Sequence, residues 1–289
     1  MDAATAAHIC KHLRRLGCQS VHIGGGEPFL DVAGLVTLAR TIVDSGVSID
    51  YIETNAAWIS GDDERDMQIL RDVVNAGGEC VMVSADPFHV EFVPFWKPQR
   101  LIELLVKIGI SHFVWQERYL PMLRKLNPQK TYNAKELQTT FGYDVIEKCA
   151  REYGMGFNGR ALNLLRKFGE RRAADKLATH ESCASLRNAS HFHVDFLGRY
   201  VPPGCTGMGI LIEDIDKPID CSKYPVMSRL FGGGVGELLE YARNLGYVSN
   251  DNGYVSKCEL CFDIRKFLVT LDAQAHSDLT PRNFYEQNF

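Results

Sequence analysis

Short apolar runs rich in β-branched residues alternate with amphipathic stretches through the first half of this 289-residue chain, and that cadence leaves few folds open. A near-continuous apolar strand followed by a helix-length crossover is the signature of parallel strands covered by helices. The runs SVHIGG (20–25), VSIDYIETN (47–55), ECVMVSAD (79–86), SHFVWQ (111–116) and GMGFNGR (154–160) are therefore the expected strands. The spacing predicts helices over 3–16, 31–45, 63–77, 98–109 and 136–153. The first of these precedes any strand, so a barrel built this way opens on a helix and lacks its first strand. The stretch 119–132 has no clear period and is the candidate loop or lid.

Beyond about residue 180 the cadence stops. A hairpin-like HFHVDFLGRYVPPGC, an apolar and acidic link, an amphipathic VGELLEYARNLG and KCELCFDIR follow. The expected organisation is α/β: an incomplete parallel (βα) barrel over 1–180 and a small cysteine-rich domain over 181–289. With 45% hydrophobic and 24% charged residues the chain can bury a sizeable core.

Lys and Arg number 32 against 36 Asp and Glu, a net charge of −4, and no run of one sign tracks a phosphate backbone or an anionic bilayer. Neither nucleic acid nor membrane is an expected partner. The opening MDAATAAHICKHLRRLGCQ lacks the apolar core and cleavage site of a signal peptide, which predicts a cytoplasmic location. Nine cysteines in a reducing compartment point to metal ligands or buried thiols before disulfides. Cys183, Cys205, Cys221, Cys258 and Cys261 crowd the last third.

In VHIGGGEPFLD a strand runs into three glycines, an acid and a proline before the next helix. Glycines there admit a ligand close to the backbone, the carboxylate of Glu27 can hold a cationic amine, and Pro28 fixes the turn. In KCELC, Cys258 and Cys261 form a CxxC that lets two thiolates hold one metal from a single turn. Cys205 in PPGC and Cys183 before the hairpin are the simplest completion of a four-cysteine site, with Cys221 as the spare. Structural zinc and a lone thiol pair are the other readings of the same residues.

Gly25, Gly26, Glu27 and Pro28 match the GGEP motif of the radical S-adenosylmethionine (SAM) superfamily residue for residue, and the chain resembles that family over nearly its whole length. In the family this motif ends the second barrel strand and binds the methionine amino group. The resemblance further implies that Thr54 and Asn55 in IETN flank the cofactor, that Ser84 and Asp86 in VSADPFH reach the SAM ribose, and that Asn158 and Arg160 in FNGRA contact adenine or carboxylate. All lie at expected carboxyl ends of strands, the ligand face of parallel α/β barrels. His89 and Glu91 just beyond are the candidate catalytic pair, for binding substrate or moving a proton, with Trp115, Gln116 and Glu117 as further candidates. The late cysteines, with Gly198 between them, resemble a SPASM or twitch domain. That implies one auxiliary 4Fe-4S cluster on Cys183, Cys205, Cys258 and Cys261.

The family's activity is reductive cleavage of SAM to methionine and a 5′-deoxyadenosyl radical. The expected function is thus a radical SAM oxidoreductase or maturase, with a flavodoxin or ferredoxin as electron donor and a peptide or small molecule as substrate. The chain departs from the family at one point: it contains no CxxxCxxC, the motif whose three thiolates hold the catalytic cluster. The expectation is an N-terminal truncation that removed it, and a polypeptide that as written does not cleave SAM. The alternative is a non-catalytic scaffold that binds SAM or a partner and keeps an iron-sulfur or zinc site.

Overall fold

A computed structural model of the chain describes residues 1–154, 159–187, 190–272 and 276–286. It divides into two compact units, Met1–Tyr153 and Gly154–Phe289.

The first unit alternates helix and strand: α1 (Ala3–Arg15), β1 (Ser20–Ile23), α2 (Val32–Asp44), β2 (Ser48–Thr54), α3 (Asp63–Asn75), β3 (Cys80–Ser84), α4 (Trp96–Ile108) and β4 (Ser111–Trp115). The four strands form one parallel sheet in the order β1-β2-β3-β4. Each expected strand from 20 to 116 is present. Side-chain oxygens of Asp2, Asp31 and Asp62 accept the first free backbone N–H groups of α1, α2 and α3, which fixes where those helices begin. The left-handed Gly109 (φ 72°) ends α4.

Helical periodicity places Leu35, Ala39 and Ile42 of α2, Leu70 and Val73 of α3, and Leu101, Leu104 and Leu105 of α4 on Ile23, Ile52, Val81 and Val83 of the sheet. Each of the α4 leucines is fully buried and contributes about 1.5–3 kcal/mol. The other face of the sheet is aromatic and polar. His22 stacks on Tyr51 with centroids 4.9 Å apart and lies 3.4 Å from the Glu53 carboxylate, while Phe113 meets Tyr51 edge-on.

After β4 come α5 (Leu120–Leu123), α6 (Ala134–Phe141) and α7 (Val145–Tyr153). The stretch taken as a candidate lid is packed down. Leu120, Leu123 and Leu126 are buried, and its ends are tied by Trp96 N–H to Pro128 O (3.0 Å) and Tyr132 N–H to Val90 O (3.0 Å).

In the second unit, α8 (Gly159–Leu165), α9 (Ala174–Leu177) and α10 (Ala184–Arg187) precede a three-stranded antiparallel sheet of β5 (His193–Val194), β6 (Arg199–Val201) and β7 (Ile210–Leu211). Helices α11 (Pro225–Gly232), α12 (Gly234–Asn244), α13 (Lys257–Leu271) and α14 (Asn283–Glu286) complete it. The hairpin expected at 191–205 is present. Asp195 closes its turn by accepting the N–H groups of Leu197 and Arg199, both at 2.9 Å.

Two expectations are corrected here. Residues 159 and 160, assigned to a fifth strand over 154–160, open α8, whose ALNLL run favours helix and sends the fully buried Leu162 into the second core. Residues 155–158 lie outside the described residues. The units also divide at 153/154 and not at 180/181, because Leu162, Ala174 and Leu177 pack in that second core. Arg172 and Tyr254 also exchange backbone hydrogen bonds of 2.9 and 2.8 Å, tying this stretch to the later helices. No helix among the described residues is long and apolar enough to cross a membrane.

Candidate functional site

The parallel register brings Ile23, Thr54, Ser84 and Trp115 to one edge, the carboxyl ends of the four strands. The turn leaving β1 passes through Gly25 (φ 85°) and Gly26 (φ 56°), backbone angles a side chain would strain. Both are exposed, so the backbone there is open to a ligand.

Glu27 follows in extended conformation and folds its carboxylate back into the site. Oε1 accepts Phe29 N–H at 3.1 Å and the Thr54 hydroxyl at 2.9 Å, and Oε2 accepts Asn55 N–H at 2.7 Å. Thr54 has its own orientation fixed. Its oxygen takes N–H groups from Ala56 (3.0 Å) and the Trp58 indole (3.1 Å), leaving its one hydrogen for Glu27.

Several contacts hold the turn after β2 in place. Trp58 stacks on Phe29 with centroids 4.8 Å apart, and Ala56 is left-handed (φ 65°) and fully buried. The wholly buried Asp66 gathers Ser60 N–H, Ser60 Oγ and Gly61 N–H at 2.8–3.2 Å. Burial pushes the Glu27 carboxyl up from its ordinary value, against the opposing pull of its three hydrogen bonds and the nearby His89. A cation bound beside the carboxylate would add to the pull of those hydrogen bonds and favour its charged form.

Past β3, Asp86 has no exposed surface. Its Oδ1 accepts Phe88 N–H (2.9 Å) and His89 N–H (3.0 Å), and its Oδ2 lies 2.8 Å from His89 Nδ1. The carboxylate expected to reach a ribose is committed inward, orienting the half-exposed imidazole. Ser84, Asp86, His89 and Asn55 line one small indentation. Glu91 is exposed on the following turn. Tyr153 accepts the Trp115 indole N–H at 2.8 Å, and its phenol is raised by burial and by the Asp86 charge. Asn158 lies outside the described residues, and Arg160 is known only as a backbone position within α8.

The second unit carries the four expected cysteines. Cys258 and Cys261 sit in the first turns of α13, capped by Ser256, whose hydroxyl accepts Glu259 N–H at 3.1 Å. Cys205 ends the PPGC turn, its N–H on Pro202 O at 3.0 Å, and Cys183 is pinned by its N–H on Leu230 O at 3.1 Å. Every pair among the four lies within electrostatic reach. Cys261 feels Cys205, Cys183 and Cys258; Cys205 feels Cys258 and Cys183; Cys183 feels Cys258.

Burial pushes the Cys261 thiol up to about 12 and Cys205 to about 11, and it raises Cys183 and Cys258 as well. Cys258 is exposed as a residue, yet the crowding at its sulfur still raises it. Cys221 is exposed, and its sulfur faces Ile219 O at 3.9 Å.

Among the described residues no three thiols lie within 4.8 Å of one another. Tetrahedral zinc at about 2.3 Å from each sulfur would hold them roughly 3.8 Å apart.

Four features escaped the sequence reading. Trp58 and Ala56 shape the turn that holds Glu27, and their signal is the aromatic four residues beyond Thr54. Tyr153 joins the Asp86 edge from a distant helix, for which the sequence carries no local sign. Arg265 stands one helical turn after Cys261, a spacing that puts both on one face of α13. Against known proteins the chain matches no family model and no curated protein, so the functional reading rests on the geometry of these two sites.

Proposed function

We propose that this chain is the scaffold of a radical SAM enzyme, binding SAM over the carboxyl edge of its parallel sheet and an iron-sulfur cluster on Cys183, Cys205, Cys258 and Cys261. The observation that carries the reading is the Glu27 carboxylate. Three donors fix it beside two exposed left-handed glycines, a receptor for a primary ammonium next to open backbone.

In this reading Glu27 holds the methionine amine, and Thr54 and Asn55 N–H hold Glu27. Ser84, with His89, offers the polar groups nearest a ribose, since Asp86 is spent on His89. His89, oriented by Asp86 at Nδ1, presents its other nitrogen for a proton transfer, with Glu91 on the adjoining turn. The four thiolates supply an electron-transfer or substrate-anchoring centre when the cluster is bound. SAM cleavage additionally needs the CxxxCxxC thiolates, which these residues do not include.

That absence favours a second reading, a protein that binds SAM or a partner without radical chemistry. Calorimetric titration with SAM tests the first claim. Saturable binding that falls about tenfold or more in Glu27→Gln is expected, from the loss of one charge-assisted contact. No binding by the wild-type chain refutes it. Coding sequence upstream of Met1 separates the two readings: an in-frame CxxxCxxC there supports the enzyme, and its absence supports the binding protein.

A further inference from the structure

Arg265 is only 4% exposed, and among the described residues no carboxylate pairs with it. Its Nη1 donates to Thr206 O (2.9 Å), the residue next to Cys205, and to the Tyr285 hydroxyl (3.0 Å). Its Nε finds no partner. The guanidinium lies 5.7 Å from the ring centres of Phe262 and Tyr285, and its charge reaches all four thiols. A permanent cation buried without a counter-charge costs several kcal/mol, and an orphaned buried N–H adds to that cost. Neutral thiols repay neither. A centre held by four thiolates does, because it carries net negative charge and presents sulfur acceptors.

We propose that Arg265 is the buried counter-ion of the four-cysteine centre, with Nε–H donating to a metal-bound sulfur when the site is loaded. This rests on the four-thiolate reading above and adds a residue and a role to it. Loading then removes the strain that Arg265 places on the empty protein, so the same residue weakens the apo state and stabilises the loaded one. Positive charge beside the centre also favours its more reduced, more negative state, and so raises its midpoint potential.

The test uses the full chain with Arg265→Gln, which removes the charge, and Arg265→Lys, which keeps the charge but loses the planar fork. Thermal unfolding is followed for metal-free protein and after anaerobic loading with iron and sulfide, with metal content measured in parallel. The metal-free Arg265→Gln chain is expected to be at least as stable as wild type. Once loaded, it should hold its centre about ten- to a hundredfold more weakly, and at a lower potential, with Arg265→Lys between. Equal loss of stability in the empty and loaded states, or failure of Arg265→Gln to fold without metal, would make Arg265 a structural pillar and overturn the proposal. So would identical centres in all three proteins. A wild-type chain that takes up no iron sinks the four-thiolate reading itself, a result distinct from loading that ignores Arg265.

Discussion

Replacing Thr54 with valine removes one oxygen from a buried site without changing its shape, and the structure assigns that oxygen three jobs. It accepts Ala56 N–H and Trp58 Nε1–H, and it donates to Glu27. Thr54 is 2% exposed, so water cannot replace it. Each stranded N–H costs about 1–3 kcal/mol, and the lost bond to a carboxylate about 1.5–3 kcal/mol. Allowing for partial relaxation, Thr54→Val should lose roughly 3–5 kcal/mol. Thr54→Ser keeps the hydroxyl and gives up one buried methyl, for about 0.5–1.5 kcal/mol. Urea unfolding of the three proteins reads both values as midpoint shifts at constant slope. If valine and serine destabilise equally, the hydroxyl is not the keystone of the Glu27 receptor, and the reasoning from it fails.

Further expectations follow from the same geometry. Asp86→Ala should destabilise by about 3–5 kcal/mol, because it strands two backbone N–H groups and an imidazole behind a fully buried position; a loss under 1 kcal/mol in urea unfolding would contradict the inward role given to this carboxylate. Gly25→Ala, at φ 85° with nothing within 4 Å of an added Cβ, should cost about 1 kcal/mol from backbone strain alone, and a neutral result would place the turn in another conformation. The metal-free chain should lose stability as pH rises above 9. There the folded state keeps protons on thiols raised to about 11 and 12 that the unfolded chain releases near the ordinary value of 9.0. Flat stability from pH 9 to 11 refutes that burial.

The parallel sheet was legible because each strand is a compact apolar run at a βα boundary, and β1 to β4 fall inside the expected windows. The window 154–160 misled because its glycines and aromatic read as a strand end, while the ALNLL that follows draws residues 159 and 160 into a helix. The domain boundary was misplaced for a related reason. The partners of Leu162, Ala174 and Leu177 are helices far along the chain, and no local pattern announces contacts of that range.

At the candidate site, the Glu27 turn could be read from its glycines and acid. The inward direction of Asp86 was readable only in part: Asp-Pro signals a turn, and the Asx bonds to Phe88 and His89 are what point it away from solvent. Arg265 was missed because a charged residue in an amphipathic helix is ordinarily solvated. Only the fold shows that this one is enclosed.

The most direct test of the account is the iron, acid-labile sulfide and zinc content of the chain after anaerobic purification and reconstitution, beside a Cys258→Ala, Cys261→Ala double variant and Cys221→Ser. The account predicts about four irons and four sulfides per chain, lost in the double variant and kept in Cys221→Ser. Zinc alone, no metal, or loss in Cys221→Ser would contradict it.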